Sequence, residues 1–272
     1  MRAAGINPGE ANVRTGALEA LFPATFPSGE GSDFAGTIVA TGADVTGWAA
    51  GDEVLGWSWE RSSHAEQVVV PVGQIIAKPP ALSWEVAGAL YVAGCTAYAA
   101  VRAVIAAAGD TVAVSNAAGG VGSITVQLLR LRGARVIAIA SDRHADWLGA
   151  QGATVVARGD GLEDRIRAAA PEGITAFIDL YGPEYVHLAV KLGIPRDRIN
   201  TVIAFDAAAE FGTKAEGSMA GTSTTVLAEV AALAADGRIQ VPIAAAYPLA
   251  RVRGAFAELE RRHTLGKIVL IP

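Results

Sequence analysis

Thr111-Val-Ala-Val-Ser-Asn-Ala-Ala-Gly119-Gly120-Val-Gly122 is the stretch whose reading decides the fold. Thr111 to Ser115 form a β-branched, apolar run that predicts a buried strand. Gly119 and Gly120 permit a tight turn and a close backbone approach, and Gly122 lets the following helix pack against the strand. The unpaired amides at that helix start would face the phosphates of a dinucleotide. The pattern is Ala117-x-Gly119-x-x-Gly122, with alanine where the fingerprint has its first glycine. On these residues alone, a strand–turn–helix junction with glycines for packing only stands beside the cofactor reading.

Downstream, the chain alternates between two periods. A helix is expected over Ile124 to Leu131, stopped by Gly133, and a buried strand over Val136 to Ala140. Helices Asp142 to Leu148, Gly161 to Ala169 and Tyr185 to Leu192 then separate strands Ala153 to Ala157, Ile174 to Leu180 and Ile199 to Phe205. Strands spaced by helical patterns in this way predict βαβ units, a parallel sheet and an α/β fold class. Near-continuous apolar strands fit a sheet covered on both faces.

Upstream, the runs Phe34 to Gly42, Gly51 to Gly56 and His64 to Val70 read as short strands between glycine-rich turns, which suggests a compact, antiparallel or barrel-like region. Ser83 is placed to cap a helix from Trp84 to Leu90, and Thr96 to Ala107 forms the next one. Beyond the parallel-sheet region, helices are expected over Ser223 to Ala235 and Leu249 to Arg261. The final strand, Gly266 to Ile271, is expected to pair back with the first region.

Bulk properties narrow the function classes. With 272 residues the chain is long enough for two cores. A net charge of −5 without a basic cluster argues against a nucleic-acid surface. No stretch reads as a membrane span or a secretory signal, so a cytoplasmic location is expected. The single cysteine, Cys95, excludes an intrachain disulfide and any multi-cysteine zinc site, and His64, His144, His187 and His263 lie far apart.

Seven pieces carry a resemblance: Ala3-Ala-Gly-Ile-Asn7-Pro8, Gly31-Ser-Asp33-Phe-Ala-Gly36, Gly51-Asp52-Glu53-Val54, His64-Ala-Glu66, Ala93-Gly94-Cys-Thr96-Ala-Tyr98, Ala117 to Gly122, and His263-Thr-Leu-Gly266-Lys267-Ile268-Val269. In order and spacing they resemble the quinone oxidoreductase-like, zinc-free branch of the medium-chain dehydrogenase/reductase superfamily, where alanine at the first glycine position is ordinary. The match runs through nearly all of the chain. It implies a Rossmann nucleotide-binding domain at 96–218. It also implies a GroES-like, mostly β catalytic domain at 1–95, to which the C-terminal helices and strand at 219–272 return. The resemblance further implies an NADPH-dependent, metal-free reductase of quinones or α,β-unsaturated carbonyls, working on a small-molecule substrate as a homodimer. A zinc-free alcohol dehydrogenase, an enoyl reductase of the same superfamily and a non-catalytic NADPH-binding protein are the alternatives.

The zinc-dependent relatives place a metal cysteine where Asn7 stands and a histidine where Ser32 stands; neither an amide nor a hydroxyl replaces those ligands. Members of the branch begin with roughly 30 more residues forming the first strands of the catalytic domain, so the resemblance implies either a start called late or a shortened domain, whose lost strands would leave unpaired edges. Asn12 stands where many relatives have an active-site tyrosine.

An NAD-preferring site would place a carboxylate at the end of the second strand; here Ala140-Ser141 is followed by Asp142-Arg143-His144. Ser141 can donate to a 2′-phosphate and Arg143 can pair with it, which points to NADP, while Asp142 suits a helix start. The expected cofactor-binding set is Ala118, Gly119, Gly120, Val121, Gly122, Ser141, Arg143, Tyr181, Phe205 and Lys267. Tyr181 and Phe205 enter because they follow strands at the carboxyl edge, and Lys267 enters by resemblance. Asn7, whose amide can donate, is the leading catalytic candidate, although capping the turn before Pro8 would also explain it. Asn12 and Thr96 join it by resemblance. Trp48, Trp57 and Trp59 either shape a substrate mouth or cover the core of the first region.

Overall fold

The computed structural model describes residues 1–20, 23 and 26–272. In chain order, β1 (Ala4–Gly5) and α1 (Pro8–Arg14) precede β2 (Asp33–Thr37), β3 (Glu53–Trp57), β4 (Ile75–Ala77), α2 (Trp84–Gly88) and α3 (Leu90–Ala103). Next come β5 (Thr111–Val114), α4 (Gly120–Leu131), β6 (Arg135–Ala140), α5 (Ala145–Ala150), β7 (Thr154–Ala157) and α6 (Leu162–Ala169). They are followed by β8 (Ala176–Asp179), α7 (Pro183–Lys191), β9 (Ile199–Thr201), α8 (Phe205–Phe211) and α9 (Ser218–Gly221). The chain closes with α10 (Thr224–Ala235), β10 (Ile243–Pro248), α11 (Val252–Glu260) and β11 (Lys267–Ile271). Two compact units form: Met1–Val92 together with Ser223–Pro272, and Ala93–Thr222.

The second unit is built on a five-stranded parallel sheet in the order β7-β6-β5-β8-β9. Phe177, Ile137, Ile139, Ile166 and Ile199 are fully buried in its core, which is why these strands read as continuous apolar runs. From β5 the chain builds outward through β6 and β7, then crosses back to lay β8 and β9 on the other side of β5, so the crevice between β5 and β8 is the topological switch point. Beyond β9, the next sheet position is reduced to one bridge, Asn200 to Lys214, and the Asn200 side chain holds the Glu216 backbone through both its amide ends. Two expectations are corrected here. The strand expected to run to Phe205 stops at Thr201, because the Ile203 and Ala204 amides turn back onto the Thr201 hydroxyl and Phe205 opens α8. The helix expected over Asp142 to Leu148 is a 3₁₀ turn at Asp142–His144 followed by α5.

The first unit holds two three-stranded sheets, β1-β11-β10 and β2-β3-β4, joined through an antiparallel bridge between Ala3 and Ala35. The terminal strand does return to the first region: β11 pairs antiparallel with β1, with Ala4 opposite Leu270. Ile6, Phe256, Ile268 and Leu270 form one apolar cluster; Phe34, Val54 and Ile75 form another. His64 to Val70 is not the expected strand. Val68 and Val70 do pack on the Phe34 cluster while Val69 is 93% exposed, so the alternation is genuine, but the segment pairs with no strand among the described residues. Instead β4 completes that sheet and β10 runs parallel to β11. Ser83 and Ser223 cap α2 and α10 by accepting from Val86 and Val226, and α2 ends at Gly88.

Candidate cofactor and catalytic site

The glycine turn folds onto itself. Asn116 adopts φ 49°, a left-handed conformation that asparagine tolerates, and its side-chain amide donates to Leu180 O at 3.4 Å. The Gly119 amide closes on Asn116 O, and Gly119 then caps α4 without a side chain. A Cβ at Gly122 would lie 2.2 Å from Asn116 O, and one at Gly119 would lie 2.7 Å from the Asn116 side chain. At Gly122 no larger residue fits without moving the turn, whereas at Gly119 it would have to displace the Asn116 side chain. Gly120, Val121 and Gly122 therefore stand at the head of a 12-residue helix whose first amides have no intrahelical partner, and the helix dipole adds positive potential there. Ala118 is buried beneath the turn, whereas Gly119, Gly120 and Val121 are partly open to solvent. This is the geometry that binds a diphosphate.

Beneath the turn, one fully buried carboxylate gathers the ends of three strands. Asp179 Oδ1 accepts from the Ser115 hydroxyl at 2.7 Å, the Tyr181 amide at 2.9 Å and the Gly182 amide at 3.2 Å. Its Oδ2 accepts from the Thr201 hydroxyl at 2.7 Å. The Ser115 oxygen accepts in turn from the Leu180 amide at 2.8 Å. Burial pushes the Asp179 carboxyl above the usual aspartate range, and these hydrogen bonds offset part of that rise. Sequence reasoning passed over Asp179; the available signal was an acid at the end of an otherwise apolar strand.

Other expected cofactor residues fall in this unit. Ser141 is half-buried at the carboxyl end of β6, and Arg143 is exposed in the turn that follows. Tyr181 is half-buried, edge-on to Tyr185 at 5.6 Å, in the loop that Asp179 holds. Phe205 is half-buried in the first turn of α8; Thr96, expected by resemblance among the catalytic residues, is buried on α3.

The first unit carries a second polar network. The Asn7 side chain donates to Glu10 Oε1 and Asp33 Oδ2, each at 3.1 Å, and its carbonyl accepts from the Lys267 ammonium. That ammonium also donates to Ile6 O at 3.1 Å and Asp33 Oδ2 at 3.2 Å. Glu10 accepts from the Asn7 and Ser32 amides, and His64 Nε2 lies 3.8 Å from its Oε2. Asp33 Oδ1 accepts from the Val92 amide. Burial pushes the Glu10 carboxyl up; His64 opposes the rise, and Asp33 adds to it. Two expectations change. Asn7 is buried with both amide protons spent inside the fold, so it has no donor left to orient a substrate. Lys267 uses its three protons on Ile6, Asn7 and Asp33, and is a buried structural cation rather than a cofactor contact. Asn12, half-buried on α1, keeps its side chain clear of these bonds.

The family model for zinc-binding dehydrogenases matches residues 86–270, and that for the GroES-like domain of alcohol dehydrogenases matches residues 1–104. The chain belongs to the zinc-binding dehydrogenase family. Within the medium-chain dehydrogenase/reductase superfamily it groups with quinone oxidoreductase-like proteins. A mitochondrial NAD(P)H oxidoreductase of Homo sapiens is 26% identical over 318 aligned residues, spanning 99% of this chain and 80% of the relative. A chloroplastic quinone-oxidoreductase homolog of Spinacia oleracea is 31% identical over 181 residues, 64% of this chain and 52% of that one. The structure of the quinone oxidoreductase from Coxiella burnetii superposes with a TM-score of 0.87 at 28% identity, covering 100% of this chain and 88% of that one. These relatives make the chain an oxidoreductase of the family with a nicotinamide cofactor, and the α4 entrance fits that group.

The family's metal fits less well. Among the described residues no three His, Cys, Asp or Glu side chains are grouped to hold an ion. The oxygens of Asn7 and Asp33 already face an ammonium, and Cys95 is buried in the other unit. A zinc ion needs thiolate, imidazole or carboxylate donors free to turn toward it.

Proposed function

We propose that the protein is an NADPH-dependent, metal-free reductase of a quinone or an α,β-unsaturated carbonyl. The observation that carries this reading is the open set of amides at Gly120, Val121 and Gly122 with Ser141 and Arg143 at the end of the neighbouring strand. The amides would hold the diphosphate; a hydroxyl and a planar guanidinium suit the ribose 2′-phosphate. Asp142, exposed between those two, opens the 3₁₀ turn and does not end the strand as a ribose-reading carboxylate would. When bound, NADPH supplies a hydride to the electron-poor carbon of the acceptor.

The metal-free part rests on the donor chemistry of the first unit, where Lys267 takes the oxygens of Asn7 and Asp33. With Asn7 and Lys267 committed to the fold, neither protonates the reduced substrate, and water supplies that proton. The same commitment of Asn7 favours a second reading, a protein that binds NADPH without turning it over.

Both readings meet one assay: NADPH and NADH oxidation with a quinone, a short enone and an enoyl thioester, with and without a chelator. The expected result is tighter binding of NADPH than NADH, and chelator-resistant turnover of the quinone or the enone. Binding without turnover across the panel supports the second reading. Turnover confined to the enoyl thioester moves the assignment to an enoyl reductase, and loss of activity on chelation contradicts the metal-free chemistry.

A further inference from the structure

Three loops border the switch point of the parallel sheet, and they leave from different strands. The glycine turn follows β5, residues 180–182 follow β8, and residues 202–204 follow β9. Nothing in the sequence ties these loops together locally. In the fold, all of them report to one carboxylate. Asp179 reaches Ser115 below the glycine turn, the amides of Tyr181 and Gly182 directly, and Thr201, whose oxygen accepts from the Ile203 and Ala204 amides. Ser115 passes the connection to Leu180, whose carbonyl holds the Asn116 side chain that the glycine turn wraps. The Ser141–Arg143 corner, at the end of β6, receives no bond from this network.

We infer that Asp179 is the positioning residue of the cofactor crevice, setting the diphosphate and nicotinamide side of the site through Ser115 and Thr201 without touching the cofactor. The inference rests on the nicotinamide-cofactor reading above. A carboxylate with four donors fixes loop positions that a neutral amide cannot, because an amide nitrogen would turn a donor toward the Thr201 hydroxyl or the loop amides.

The test measures dissociation constants for two probes, NADPH and adenosine 2′-monophosphate, on wild-type protein and the Asp179→Asn, Thr201→Val and Thr201→Ser variants. For Asp179→Asn and Thr201→Val, NADPH affinity is expected to fall about tenfold, the scale of a lost charge-assisted hydrogen bond. Adenosine 2′-monophosphate, which engages the β6 corner alone, is expected to stay within about twofold, as for independent sites. Thr201→Ser keeps the hydroxyl and is expected to bind both probes like wild type. If Asp179→Asn does not fold, the Thr201 pair decides. Parallel loss of both probes, or NADPH binding unchanged in Thr201→Val, overturns the inference. Wild-type protein that binds adenosine 2′-monophosphate but not NADPH, or neither probe, instead overturns the cofactor reading on which it stands.

Discussion

Each unit of this protein buries a carboxylate completely, and the two are kept in opposite ways. In the first unit Asp33 sits against the Lys267 ammonium, with Asn7 bridging to a second buried acid, Glu10. In the second, Asp179 has hydroxyl and amide donors and no cation in its bonding shell. The first arrangement is a charge-compensated knot that holds β1, β2 and β11 together. The second is a distributor of hydrogen bonds to loops. A buried ion pair is costly to break by halves, whereas changing one oxygen of a hydrogen-bonded carboxylate leaves individual donors unmatched. The difference teaches where stability and where binding should respond to mutation.

The sharpest break is Lys267→Met. It strands Asp33 without its cation, and the expected loss is about 3 to 5 kcal/mol in urea unfolding. Adding Asp33→Asn to that variant should recover part of the loss, and a single-variant cost below about 1 kcal/mol would show that the pair is not the knot described. Next comes Gly122→Val in the turn that the second network supports. Its Cβ has no room beside Asn116 O, so NADPH binding should disappear in a fluorescence titration while far-ultraviolet dichroism stays native. A smaller effect belongs to Arg143→Ala with Ser141→Ala. Loss of their bonds to a 2′-phosphate should cost NADPH about 1.5 to 3 kcal/mol, roughly tenfold or more, and leave NADH unchanged.

The smallest prediction concerns pH. Burial raises both Glu10 and Asp179, so the folded chain holds these two protons more tightly than the unfolded chain does. Their contribution to stability is fully present below the ordinary carboxylate range and is lost as pH rises through the raised values. Denaturant midpoints of the wild type should therefore carry a downward slope through that window. Asp179→Asn should remove the Asp179 share and keep the share of Glu10; an unaltered slope would contradict the cause assigned to Asp179.

What the sequence made legible follows the same division. The parallel-sheet unit was readable because strands buried on both faces, such as Val136 to Ala140, advertise themselves locally, and Gly122 marks a turn with no room for a side chain. β10 was not readable: alanines at Ala244 to Ala246 carry little strand signal, and its partner β11 lies in a distant stretch of chain. His64 to Val70 shows the reverse error, since period-two packing of Val68 and Val70 occurs without a paired strand among the described residues. Among site residues, Asn7 was noticed for its donating amide, with a capping role before Pro8 as the alternative, and Lys267 by resemblance; the structure sets Asn7 at the N-cap of α1. A polar side chain in sequence does not disclose whether its hydrogen bonds face a ligand or each other, and here they close on Asp33 and Glu10.

A crystal structure of the protein grown with NADPH tests the account most directly. The account predicts diphosphate oxygens within hydrogen-bond distance of the Gly120, Val121 and Gly122 amides, and the 2′-phosphate against Ser141 and Arg143. NADPH bound elsewhere, or a crevice at the head of α4 left empty at saturating cofactor, would contradict it.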